Sequence, residues 1–151
     1  MGEKDQGKTY RKYEEMEHPS DIGLRFRGDS LEELFANAGV GMFSLIIDIG
    51  SVETIRDMDI RLSSESSSYE DLLILWLEKL LYYFEVEHMA FSSIRVKKVE
   101  KSGISAVLYG EKIDSKRHSI LDSIKAPTYS MLSISRDPGS RTWEGTIIFD
   151  V

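Results

Sequence analysis

At 151 residues, 41% hydrophobic and 30% charged, the chain has the apolar content for one domain with its own core and too much for a disordered one. Its formal net charge of -7 argues against the broad basic footprint of a general RNA or DNA binder, and fits a basic partner surface or a cation site. Cysteine is absent, which excludes disulfides, thiolate metal ligands and a cysteine nucleophile, and suits a reducing compartment.

The N-terminal segment, residues 1–9, is polar and charged and lacks the apolar core of a signal peptide. It reads as a mobile tail ahead of one domain over residues 10–151. Tyr10 to Glu17 is a plausible first strand, charged enough to be an edge. His18-Pro19-Ser20-Asp21-Ile22-Gly23 follows as a polar turn. Leu24 and Phe26 then alternate with Arg25 and Arg27 in a short half-buried strand ending at Gly28. Ser30-Leu31-Glu32-Glu33 is a capping box, and Leu31, Leu34, Phe35, Ala38, Met42 and Leu45 recur at helical spacing, which predicts a helix over 31–45. Gly39 and Gly41 weaken that helix locally and allow close packing on a sheet.

From Val52 the period changes. Met58, Ile60 and Leu62 alternate with charged residues, which predicts a strand with one wet face. After a serine-rich connection, Ser68-Tyr69-Glu70-Asp71 opens a second helix whose wide apolar face includes Leu72, Leu73, Trp76, Leu77, Leu80 and Phe84. That apolar run is broken by Glu78 and Lys79 and is too short to span a bilayer, so the chain reads as cytoplasmic. Phe91 to Val99 and Ile104 to Glu111 form an expected hairpin around Lys101-Ser102-Gly103. Residues 112–123 are a polar connection without a period. Tyr129 to Ser135 reads as a strand, Asp137-Pro138-Gly139-Ser140 as a turn, and Trp143 to Val151 as a last strand. The expected fold is α+β: a single compact domain with two helices packed on a sheet that is mainly antiparallel or mixed.

Familiar catalytic signatures are missing. Gly39-Val40-Gly41 lacks the flanks of a phosphate-binding loop, and there is no His-Glu-x-x-His pair or Gly-x-Ser-x-Gly elbow. His18, His88 and His118 are too scattered for a zinc site. Two places remain. One is Asp21, with the expectation that the last strand returns Asp150 and the Val151 carboxylate to its side. Three negative groups in one place call for a cation, and hard oxygen donors suit calcium or magnesium over zinc. The plainer reading is that His18 and Asp21 only cap their turn. The other place is His118 to Tyr129, where Lys125 is either a solvated charge or an anion contact.

Taken together, these stretches resemble the archease family over nearly the whole chain after Lys8. His18 to Gly23 is similar to the family's His-Thr-Ala-Asp motif, with Pro19 and Ser20 departing from it. Ser30 to Phe35 resembles its helix opening, and Glu70 to Leu81 its leucine-rich helix. Ile124 to Tyr129 resembles its Ile-Lys-Ala-x-Thr-Tyr motif, and Trp143 with Asp150-Val151 its ending. The resemblance implies a protein cofactor rather than a free-standing enzyme. It would act on an RtcB-type RNA ligase in tRNA splicing, promoting ligase guanylylation and multiple turnover. It also implies a divalent cation, usually calcium, held by Asp21, Asp150 and Val151. A functional or partner-facing surface would include His18, His118, Lys125 and Thr128, with Lys125 and His118 near Asp21 and outside the core. Neither membrane binding nor strong direct nucleic-acid binding is expected. The competing readings are a metal-dependent phosphoester hydrolase using Asp21 and Asp150 as ligands and His18 or His118 as acid-base, and a non-catalytic acidic binding module.

Overall fold

The structure, a computed structural model, describes residues 11–16 and 21–151. The expected tail over 1–9 and the His18–Ser20 part of the first turn lie outside the described residues. Strand β1 (Tyr13–Met16) pairs antiparallel with β2 (Ile22–Gly28). Helix α1 (Leu31–Ile46) begins where the capping residues place it: the Glu33 amide donates to Ser30 Oγ at 3.1 Å. The reciprocal half of the box is shifted by one residue, since Glu33 Oε1 accepts from the Asp29 amide rather than from that of Ser30.

A 3-10 turn at Ile49–Ser51 leads to β3 (Arg56–Ser63). Helix α2 (Tyr69–Glu85) is capped by Ser68, whose Oγ accepts from the Asp71 amide. The remaining strands are β4 (Met89–Glu100), β5 (Gly103–Lys112), β6 (Ala126–Arg136) and β7 (Trp143–Asp150).

The strands form two antiparallel sheets, ordered β1-β2-β7-β6 and β3-β5-β4, where the alternation pattern led us to expect one. Each hairpin pairs locally, but among the described residues no ladder joins the two sets. Helix α1 packs against both β2 and β4, and α2 against both β6 and β4, so the helices join the sheets through side chains.

That shared core contains Leu34, Phe35, Leu73, Trp76, Leu77 and Leu80, all 0% exposed. The Trp76 indole N–H, inside this core, donates to the Phe35 carbonyl at 2.9 Å. Gly39 permits the close approach: a Cβ there would meet the ends of Ile94 and Leu80 at 2.8 Å.

The direction of α1 matters for the site. Gly28 lies against Glu33 and Leu34, Asn37 Nδ2 donates to the Arg27 carbonyl at 2.7 Å, and Gly41 lies against Leu24. The helix therefore runs antiparallel to β2 and brings its C-terminal end toward Asp21.

Candidate functional site

In the β2–β7 ladder Ile22 is opposite Phe149. One more step of that antiparallel register sets Asp21 beside Asp150, on the face opposite the buried Phe149. On the other side of β7, Ala126 is opposite Asp150, and the Lys125 amide donates to the Asp150 carbonyl at 2.7 Å. One end of the sheet thus gathers Asp21, Asp150, Val151 and Lys125, with Asp150, Val151 and Lys125 exposed and Asp21 half-buried. The backbone ladder positions these groups: Asp21 just before β2, Lys125 just before β6, and Asp150 with Val151 at the end of β7.

Asp21 and Asp150 are hard oxygen donors on one face, which fits a calcium- or magnesium-type ion. Among the described residues no cluster of three or more histidine or acidic side chains is placed to hold a metal. The residues that could hold a cation at this end are Asp21 and Asp150, with Val151 beside them, and water, backbone or a partner would supply the rest of the shell.

The remaining expected residues separate. Thr128 is half-buried, its hydroxyl donating to the Ile148 carbonyl at 2.8 Å and accepting from the Ser130 amide at 3.2 Å. It ends the first paired stretch of β6, just before the ladder shifts register between Thr128 and Ser133. His18 lies outside the described residues.

The placement of His118 on an exposed functional face is corrected by the structure. Its side chain is 0% exposed, with Nε2 3.0 Å from Glu111 Oε2. Nδ1 accepts from the Asp114 amide at 2.8 Å, so the ring hydrogen sits on Nε2 and is donated to Glu111. Glu111 also accepts from the Glu53 amide at 2.7 Å and from Arg117 Nη2.

Burial pushes the Glu111 carboxyl up, but the hydrogen bonds from Glu53, Arg117 and His118 outweigh it and hold the group at about 2. This buried cluster escaped the sequence reading. Its one available signal is Glu111 itself, an acid at the end of the apolar run Ala106 to Tyr109, where a buried charge requires partners.

The sequence model of the archease protein family matches residues 13–151. The chain belongs to the archease family. It is 35% identical to the protein archease of Pyrococcus furiosus over 144 residues, covering 93% of this chain and 99% of that one. The Methanosarcina acetivorans protein archease is 38% identical over 147 residues, covering 93% and 97%. The solution structure of Methanobacterium thermoautotrophicum protein 1598 superposes with a TM-score of 0.77 at 29% identity, covering 93% of this chain and 99% of that one. In this archease the matched span runs through both sheets and includes both strand ends that carry Asp21 and Asp150.

Proposed function

We propose that this archease is a protein cofactor, without catalysis of its own, that activates an RtcB-type RNA ligase in tRNA splicing, promoting ligase guanylylation and repeated turnover. The observation that supports this most is the juxtaposition of Asp21 and Asp150 by the β2–β7 register in a chain of this family. In this reading Asp21, Asp150 and the Val151 carboxylate hold a divalent cation, calcium by preference. When bound, that ion neutralises the converging carboxylates and offers open coordination positions to oxygen groups of the partner. Lys125, exposed beside Asp150, supplies a cationic donor at the same end. Thr128 borders this end, His18 is assigned to the same partner-facing surface by the family resemblance alone, and His118 acts on it only through the connection it anchors.

Purified ligase, assayed for guanylylation and for end joining with and without the chain, tests the proposal. Wild-type protein is expected to stimulate both, Asp150→Asn to stimulate weakly, and neither to cleave RNA or a phosphoester alone. Metal-dependent cleavage by the chain alone, without effect on the ligase, would replace the cofactor reading by a hydrolase.

A further inference from the structure

Between β5 and β6 the chain crosses the end of the molecule that carries Asp21 and Asp150, and it is tied down along its length. Ile113 packs on the small cluster of Ile47, Val52 and Ala90. His118 is buried against Glu111, and Ile124 is 2% exposed in the main core. Two backbone hydrogen bonds pin the middle. The Asp48 amide donates to the Ser119 carbonyl at 3.0 Å and the Leu121 amide to the Ile46 carbonyl at 2.7 Å, together forming the antiparallel bridge between Ile47 and Ile120.

Yet Ile120 and Leu121 are 53% and 55% exposed. A single exposed aliphatic residue is ordinary. Two adjacent ones on a backbone hydrogen-bonded to the end of α1 are held outward in a fixed arrangement, with little ordering left for a binding event to impose. Around the segment Asp48, Asp122 and Asp150 are exposed and Asp21 is half-buried; of the basic residues on the same connection, Arg117 is paired with Glu111 and Asp114, while Lys112, Lys116 and Lys125 are exposed. The last turn of α1 has no basic side chain to offset its dipole.

We propose that Ile120 and Leu121 form the apolar anchor of an acidic docking surface for a partner protein that presents an apolar pocket rimmed by arginine or lysine. The partner is the ligase of the reading above, on which this inference rests. Apolar side chains at the centre of the contact set its lifetime, while the acidic rim steers the encounter and makes it salt-sensitive. The His118–Glu111–Arg117 cluster positions the anchor without touching the partner.

The test titrates wild-type protein and the Ile120→Asn, Leu121→Asn double variant into the ligase assay, with Ile55→Asn as control for a different exposed aliphatic. The double variant is expected to melt like wild type and reach the same maximal stimulation, with its half-maximal concentration raised about tenfold or more, as loss of an interface anchor requires. Because the chain has no cysteine, an environment-sensitive dye can also be placed on Leu121→Cys. Its emission should shift when ligase is added, and that of Ile55→Cys should not. If wild type stimulates and the double variant has the same half-maximal concentration, the docking surface is wrong and the cofactor reading stands. If wild type neither binds nor stimulates the ligase, both fall. Conversion of a dimer to a monomer by the double variant, with stimulation intact, would assign the surface to a second copy and overturn the proposal.

Discussion

Glu111 is a carboxylate with nowhere to go but its partners. Its folded value of about 2 lies below the ordinary 4.5, so its ionised form favours folding. That contribution is fully present above pH 4.5 and is lost as pH falls toward 2. Wild-type melting temperature is expected to decline through that window, and the decline in Glu111→Gln to be shallower, because the group that must be protonated is gone. An equally steep decline in the variant, followed by circular dichroism, would move the acid sensitivity to other carboxylates. Lys125 contrasts with it. Its side chain is exposed and only its backbone takes part in the sheet. Lys125→Ala should therefore leave melting almost unchanged, within about 0.5 kcal/mol, while lowering ligase stimulation. Reduced melting with full stimulation per folded molecule would make Lys125 structural.

At the scale of elements, α2 carries the packing argument. Trp76 is fully buried, packs in the cluster shared with α1, and donates to the Phe35 carbonyl. Trp76→Ala should cost about 3–5 kcal/mol in denaturant unfolding; a loss under about 1 kcal/mol would contradict that packing. The same helix also reaches the irregular part of β6. Tyr129 Oη donates to Asp71 Oδ1 at 2.5 Å, and the Ser66 hydroxyl bonds the other carboxylate oxygen. Those bonds, from Ser66 first and Tyr129 next, hold the Asp71 carboxyl below its ordinary range. Thus Asp71 ties the start of α2 to the strand segment where Met131 takes a φ of 54°. Both helix starts and the β4–β5 hairpin were legible in sequence because their signals are local: a serine three residues ahead of its amide, an alternation interrupted at Lys101-Ser102. The full length of β6 was not, since Ala126 to Thr128 are strand only by virtue of pairing with β7.

The whole molecule depends on pairings that no local period encodes. Alternation in β3, β4 and β5 looks the same whether those strands join β2 and β7 or stand apart, so two sheets were read as one. The burial of His118 was equally hidden, because its partner Glu111 sits in a strand of a different period and the connection between them is polar. By contrast, Asp21 beside Asp150 was anticipated from chain-end chemistry together with the family resemblance, and the β2–β7 register sets the two side by side. Two carboxylates brought to about 4 Å repel by roughly 1 kcal/mol even in water, and a cation reverses the sign. The most direct measurement is the melting temperature as a function of added calcium. The account predicts a rise in wild type, equivalent to about 2.7 kcal/mol at a hundredfold excess over Kd. It predicts that the rise is abolished in Asp21→Asn and Asp150→Asn and weakened by a short tail after Val151. An undiminished rise in both asparagine variants would contradict it.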